Sequence, residues 1–132
     1  MRVKTKLKKV LILEDEPDAG LLIAAILEGF HYIPTIVTSL AEVRLKLSDD
    51  ASESFDLLFF DYNLPDGTSF EIINNKPLIA NTPVILCSAY LSESRLKEAA
   101  NNGVLECLHK PISGEAIKNT LVKHDLLSTT NL

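Results

Sequence analysis

Polar side chains able to bind a metal ion or a phosphoryl group follow four apolar segments of this chain. Glu14 and Asp15 follow the first of these segments, Asp61 a later one, and Ser88 and Lys110 two more. Carboxylates held together repel one another unless a cation neutralises them, and such oxygen ligands suit Mg2+. An aspartate in such a site can attack phosphorus, while a hydroxyl and an ammonium bind the phosphoryl oxygens. These residues predict a magnesium-dependent phosphoryl-transfer site with Asp61 at its centre.

Two kinds of apolar segment alternate along the chain. Five short runs rich in β-branched and aromatic residues are typical of buried strands, at residues 10–13, 33–37, 57–60, 84–87 and 104–108. Between and after them, apolar residues recur at helical spacing. The alternation predicts one parallel sheet with helices on both faces. Ligands of such sheets bind beyond the carboxyl ends of the strands, where the five polar residues above are expected to meet.

Capping residues and prolines predict where the five helices begin and end. The expected helices cover residues 17–29, 39 to the polar linker at 48–54, 69–77, 92–102 and 113–124. Ser39 and Glu42 have the spacing of a capping box at the start of the second helix. Pro77 is expected to end the third helix and keep it short.

The composition indicates one globular domain. The chain has 132 residues, of which 46% are hydrophobic and 23% charged, and its net charge is -5. Because non-specific nucleic-acid binding requires a broad basic surface, direct binding to nucleic acid is not expected. The apolar runs are too short for a signal peptide or a membrane span, so no membrane association and a cytoplasmic location are expected. Cys87 and Cys107 lie in apolar runs without metal-ligand spacing and are expected to be reduced, buried thiols.

Four segments of the chain resemble the receiver domains of two-component response regulators. They are residues 10–17, 60–67, 83–89 and 103–111, each at a predicted strand end, and the resemblance runs from about residue 9 to residue 124. It implies an α/β (βα)5 flavodoxin-like three-layer sandwich. The five-stranded parallel sheet of that fold has the order 2-1-3-4-5, with helices on both faces.

The resemblance also implies a role for each residue of the acidic cluster. Asp61 would accept the phosphoryl group and share in binding Mg2+, the implied cofactor. Asp15 would bind the ion directly, and Glu14 would act partly through water. The backbone carbonyl of Asn63 resembles a further ligand.

The remaining site residues resemble the family's conformational switch. Ser88, followed by Ala89 and Tyr90, would move toward the phosphoryl group, and Lys110 would pair with its oxygens. The peptide between Lys110 and Pro111 is expected to be cis.

One switch position departs from the family pattern. Many relatives carry Tyr or Phe where this chain has Cys107, and the ring turns inward as the hydroxyl residue moves. A thiol cannot transmit the change by ring rotation. Tyr90 is the nearest aromatic residue that could substitute.

The resemblance implies a signalling switch rather than an enzyme. A histidine kinase or histidine phosphotransfer protein would donate the phosphoryl group, and a downstream protein target would read the result. Only self-phosphorylation from small donors and slow autodephosphorylation are expected, from a monomer or weak dimer. The expected division is a basic arm at residues 1–8, a receiver at 9–125 and a tail at 126–132, either as a whole protein or as part of a larger regulator such as a hybrid kinase.

Two other functions fit some of the same residues. A degenerate receiver could act as a binding module without phosphorylation, as the loss of the ring at Cys107 suggests. A small phosphatase of the haloacid dehalogenase type also uses an aspartate nucleophile, a hydroxyl, a lysine and Mg2+. That class places a second acid two residues after the nucleophile, where this chain has Asn63.

Overall fold

A computed structural model describes residues 7–48 and 54–127 of the chain. Its strands are β1 (Lys8–Leu13), β2 (Tyr32–Val37), β3 (Leu57–Asp61), β4 (Asn63–Leu64), β5 (Gly67–Thr68), β6 (Val84–Ser88) and β7 (Glu106–His109). Its helices are α1 (Pro17–Gly29), α2 (Leu40–Leu47), α3 (Phe70–Ile73), α4 (Lys76–Ile79), α5 (Glu93–Asn101) and α6 (Gly114–Lys123). No helix within these residues has the length and hydropathy needed to cross a membrane.

The main sheet has five parallel strands in the order β2-β1-β3-β6-β7. If only the strands of this sheet are numbered, the order is the predicted 2-1-3-4-5. Strands β3 and β6 are buried along their whole length, which explains their uninterrupted apolar sequences. The predicted sheet is therefore confirmed.

Helices cover both faces of the sheet, because successive side chains of a strand point to opposite faces. Leu58 and Phe60 belong to the core cluster that contains residues of α2, α3, α4 and α5. Phe59 belongs to the opposite cluster, together with residues of α1 and α6. The predicted three-layer arrangement is confirmed.

The region after β3 differs from the sequence prediction. The expected third helix is divided into α3, which ends at Ile73, and α4, which begins at Lys76. Pro77 lies in the first turn of α4, where its missing N–H costs no helical hydrogen bond. Asn75 caps this turn by accepting a hydrogen bond from the Leu78 N–H at 3.3 Å. The prediction that Pro77 ends a helix was wrong, because the proline starts one instead.

The start of α2 combines a local cap with a long-range one. The Ser39 hydroxyl accepts a hydrogen bond from the Glu42 N–H at 3.2 Å, as the capping box predicts. The Glu42 carboxylate does not accept from the Ser39 N–H, as a complete box requires. It accepts instead from the Thr38 N–H and hydroxyl and, at 3.4 Å, from the Ser39 hydroxyl. Across the fold, the Asp66 carboxylate accepts from the N–H of Leu40 at 3.0 Å. The bond from the Leu40 N–H is the main cause of the lowered pKa of Asp66, and it ties the loop after β3 to α2.

The end of the described chain packs back on the sheet. Leu126 and Leu127, expected in the C-terminal tail, lie against the core cluster of α1 and α6. The Tyr32 hydroxyl donates to the Leu126 carbonyl. Burial raises the pKa of Tyr32 to about 12, and Asp56 adds to the shift. The rest of the predicted tail, residues 1–6 of the predicted arm and residues 49–53 of the linker lie outside the described residues.

Substitution of Tyr32 by Phe should make the free energy of unfolding fall less steeply as the pH rises in strong base. The folded-state pKa exceeds the ordinary value of 10.0, so the stabilisation is complete below about pH 10 and is lost as the pH rises through about 12. A shift of this size corresponds to roughly 2–3 kcal/mol of unfolding free energy. Urea unfolding at a series of pH values from about 9 to 12 would measure it, with the exposed Tyr90→Phe as control. Equal pH slopes for the wild type and Tyr32→Phe would contradict the expectation.

Candidate functional site

Three carboxylates meet at the carboxyl-terminal edge of the sheet. Strands β1 and β3 pair in parallel with Leu13 opposite Phe60, so the next residues, Glu14 and Asp61, lie side by side. One oxygen each of Glu14, Asp15 and Asp61 lies within 4.8 Å of the others. Glu14 and Asp61 are only 2% and 9% exposed, whereas Asp15 is exposed. The convergence expected from the strand ends is present.

Lys110 links two of these carboxylates. Its Nζ donates to Glu14 Oε1 at 2.7 Å and to Asp61 Oδ2 at 2.9 Å. The residue directly follows β7, and its backbone N–H donates to the Ser88 carbonyl at 2.9 Å, which fixes where the side chain starts. The Lys110–Pro111 peptide is cis, the geometry that the resemblance implied. The ammonium thus neutralises part of a buried negative cluster.

Burial and neighbouring charges compete in setting the pKa of Asp61. Burial raises its pKa from 3.8 to about 6, the hydrogen bond from Lys110 opposes the rise, and the charge of Glu14 adds to it. The Tyr62 N–H donates to Asp61 Oδ1 at 2.9 Å and also favours the anion. Burial lowers the pKa of Lys110, but its bonds to the two carboxylates outweigh burial and raise that pKa overall. At neutral pH, Asp61 is therefore an anion with a cation beside it.

Ser88 ends β6 at the same edge of the sheet, and its hydroxyl is occupied. The buried Oγ donates to the Tyr90 carbonyl at 2.9 Å. It accepts from the Tyr90 N–H and from Arg95 Nη1, each at 3.2 Å. The hydroxyl is thus bonded to the loop after β6 and to α5.

Arg95 is a site residue that the sequence did not reveal. Its guanidinium carbon lies 3.8 Å from the centre of the Tyr62 ring and 5.7 Å from that of Tyr90. Phe70 supports the Tyr62 ring edge-on, with ring centres 5.3 Å apart. Nothing in the sequence pattern marks Arg95, because it is one of several charged residues in a polar helix.

The other predicted site residues have varied surroundings. Asn63 is exposed and pairs with Thr68 in the β4–β5 hairpin, while Ala89 and Tyr90 are exposed in the loop after β6. Both cysteines are free, but only Cys87 is buried. Cys107 is half-buried against the core cluster that contains α2 to α5.

A groove of about 410 Å³ opens beside the carboxylates. It is lined by Glu14, Glu16, Ala19, Leu22, Ile23, Ala89, Lys110, Pro111 and Ile112. On α1, the groove-lining Leu22 is 54% exposed. The groove therefore joins the charged site to an apolar helix surface.

Comparison with known families matches residues 10–122 to the response regulator receiver domain. This chain belongs to the response regulator receiver domain family. The receiver is 30% identical over 111 residues to the two-component response regulator ARR2 of Arabidopsis thaliana. It is 27% identical over 111 residues to ORR26 of Oryza sativa subsp. japonica. These alignments cover 84% of this chain but only 17% and 19% of the plant proteins, so the chain spans about a fifth of their length.

Solved structures share the fold of the receiver. A CheY-like receiver domain protein from Methanospirillum hungatei has a TM-score of 0.75 at 25% identity, and the match covers 92% of this chain and 94% of that protein. A response regulator protein from Burkholderia pseudomallei has a TM-score of 0.73 at 21% identity, covering 89% and 72%. The latter structure contains a phosphorylated aspartic acid, a calcium ion and citrate. The flavodoxin-like fold predicted from the sequence is thus that of the CheY-like receivers.

Proposed function

We propose that Asp61 accepts a phosphoryl group from a phosphohistidine of a histidine kinase or phosphotransfer protein. The supporting observation is the buried Asp61 carboxylate, held between the Lys110 ammonium and the carboxylates of Glu14 and Asp15. An oxygen of Asp61 forms the new bond to phosphorus as the phosphorus–nitrogen bond of the donor breaks. The electron pair of that bond stays with the imidazole nitrogen.

The donor set of the site fits Mg2+. The receiver's relatives form an acidic pocket for this ion, and here three carboxylate oxygens lie close enough to share one cation. Glu14, Asp15, Asp61 and the backbone carbonyl of Asn63 would hold it. When bound, Mg2+ would supply positive charge to the carboxylates and to the oxygens of the incoming group.

Lys110 and Ser88 then stabilise the transferred group. Lys110 is already within hydrogen-bond distance of Asp61 and needs only to turn its ammonium to a phosphoryl oxygen. Ser88 donates to Tyr90 in the described structure, so it must exchange that bond to reach the phosphoryl group. The added charge, roughly -1.5 to -2, favours this exchange and biases the receiver toward a second conformation that a downstream protein reads.

The apolar surface of α1 next to the groove is the proposed docking site of the phosphohistidine donor. A donor histidine must approach Asp61 through the mouth of the site, where the exposed Leu22 lines the groove. An apolar helix surface of the donor would bury Leu22. The donor's side chain would then be positioned over the carboxylates.

Leu22→Glu should slow transfer from a protein donor by about tenfold or more, since it places a charge in an apolar contact. Phosphorylation by acetyl phosphate should be unchanged, because that donor needs no docking surface. The probe is whichever purified phosphotransfer protein of a panel phosphorylates the wild type fastest, and exposed Leu45→Glu on α2 is the matched control. Equal slowing with both donors would place Leu22 in the chemistry rather than in docking.

Phosphorylation with acetyl phosphate and Mg2+ tests the proposed function itself. Intact mass should increase by one phosphoryl group, and borohydride reduction followed by peptide mapping should locate it at Asp61. Rapid repeated turnover of p-nitrophenyl phosphate would favour the phosphatase alternative. Absence of any mass gain, with no binding of beryllofluoride, would favour a degenerate receiver.

A further inference from the structure

The Arg95 clamp, consisting of Arg95, Ser88, Tyr62 and Tyr90, joins both sides of the site to α5. Arg95 Nη1 donates to Ser88 Oγ at 3.2 Å and also donates to the Tyr90 carbonyl. The guanidinium lies over the Tyr62 ring, in the geometry of a cation–π contact. Three separate interactions thus centre on one side chain of α5.

In the clamp, the one proton that the Ser88 hydroxyl can donate is directed to Tyr90 and not toward Asp61. A serine hydroxyl has one donor proton, and here it goes to the Tyr90 carbonyl. Ser88 can donate to a phosphoryl oxygen only after giving up that bond. Arg95 stabilises the resting arrangement because it donates both to the Ser88 oxygen and to the same Tyr90 carbonyl. A shift of the Ser88 oxygen toward Asp61 would therefore lengthen its bond from Arg95 as well as its bond to Tyr90.

The clamp also connects this movement to a helix. Tyr62 directly follows Asp61 and donates its N–H to Asp61 Oδ1, so the ring platform of Arg95 belongs to the phosphoacceptor segment. Arg95 lies in the first turn of α5, and its N–H donates to the Ser92 hydroxyl that caps the helix. In this chain, the half-buried Cys107 has no ring with which to follow Ser88. Arg95 provides a direct contact between Ser88 and α5.

We propose that Arg95 is a positioning residue that holds the Ser88 hydroxyl in the resting state and couples its movement toward phosphorylated Asp61 to the start of α5. This inference rests on the proposed function of Asp61. Contacts made only in the resting state disfavour the phosphorylated one, so removal of Arg95 raises the apparent affinity for a phosphoryl analogue.

Calorimetric titration with beryllofluoride and Mg2+ tests the proposal on the whole chain. Arg95→Ala should bind beryllofluoride roughly five- to tenfold more tightly than the wild type. This is the effect expected when the resting state loses one cation–π contact and one hydrogen bond. Arg95→Lys, which keeps the charge but not the planar group, should lie between them. Lys97→Ala, an exposed charge of the same helix, is the matched control and should not change the affinity. Tyr62→Leu, which removes the ring under the guanidinium, should tighten binding by roughly two- to threefold. It serves as the second test if Arg95→Ala folds poorly.

A double-mutant cycle separates this role from a merely structural one. In the Ser88→Ala background, Arg95→Ala should have no effect on beryllofluoride affinity, because the hydroxyl that it holds is gone. Tyrosine fluorescence gives an independent readout, since the chain has three tyrosines and no tryptophan, and two of the tyrosines flank Arg95.

Three results would overturn the proposal. Weaker binding by Arg95→Ala would place Arg95 on the phosphoryl group itself. An unchanged affinity, or the same tightening with and without Ser88, would show that Arg95 does not act through the hydroxyl. Failure of the wild type to bind beryllofluoride would overturn the proposed function as well, and would be recognised by the absence of any difference from Asp61→Asn.

Discussion

Asp61→Asn should gain no phosphoryl group from acetyl phosphate under conditions that phosphorylate the wild type. An amide is neutral and has no carboxylate oxygen to attack phosphorus, so a rate loss of more than about a hundredfold is expected. Intact-mass spectrometry over time measures the loss. Asp18→Asn, which removes an exposed carboxylate from the first turn of α1, is the matched control and should be phosphorylated normally. A mass gain in Asp61→Asn equal to that of the wild type would place the chemistry at another residue.

The same variant should be more stable than the wild type at neutral pH. The folded-state pKa of Asp61 is raised from 3.8 to about 6, so the neutral carboxyl is favoured by folding. Its contribution is fully present below about pH 4 and is lost as the pH rises through about 6. Removing the buried charge should therefore raise the unfolding free energy at pH 7 by about 1–2 kcal/mol and flatten its pH dependence. Urea unfolding at pH values on both sides of this window measures both effects and shows that loss of phosphorylation is not loss of folding.

Lys110→Met should lower both phosphorylation and stability. The ammonium bonds two carboxylates that are almost fully buried, Glu14 at 2.7 Å and Asp61 at 2.9 Å, and is itself only partly exposed. Removing one partner of such a group leaves charges without compensation, at a cost of roughly 2–4 kcal/mol. Loss of a positive group beside the developing charge should slow phosphorylation by about a hundredfold.

The stability defect of Lys110→Met should depend on conditions in a defined way. Mg2+ should restore part of the unfolding free energy, because a cation again neutralises the acids. A fall in pH toward the pKa of Asp61 should also restore part of it, since protonation removes one of the charges. Lys118→Met, an exposed lysine of α6, is the control. A stability within about 0.5 kcal/mol of the wild type without Mg2+ would contradict the assigned role of Lys110.

The opposite signs of these two stability effects distinguish the roles of the two residues. The raised pKa of Asp61 means that its charge is held at a cost to the fold, which the proposed reaction would explain, whereas Lys110 offsets that cost. The two predictions concern the same hydrogen bond from its two ends. If only one of the two predicted stability effects is observed, the residue concerned makes the larger electrostatic contribution to the cluster.

The positions of the main site residues could be predicted because they depend on periodicity alone. Short apolar runs alternating with amphipathic segments require a parallel sheet, and a parallel sheet brings its carboxyl ends to one edge. Glu14, Asp61, Ser88 and Lys110 each stand at such an end, so their convergence needed no knowledge of the packing. The sequence also predicted the Ser39 cap, because that bond spans only three residues.

The errors and omissions have equally definite causes. Pro77 permits a helix to end before it or to begin at it, and only the packing around α3 and α4 selected the second. The Asp66 carboxylate bonds the Leu40 N–H from 26 residues away, a contact that no local pattern encodes.

By itself, the sequence determined the order of strands and helices and the kinds of polar group at the sheet edge, because these follow from hydrophobic periodicity and chain connectivity. Only the tertiary structure decided which of these groups form hydrogen bonds or ion pairs with one another. It placed Lys110 between Glu14 and Asp61, and it directed the Ser88 hydroxyl to Tyr90 and Arg95 instead. The physical reason is that hydrogen bonds and burial depend on distances of a few ångströms between distant segments, and packing sets those distances.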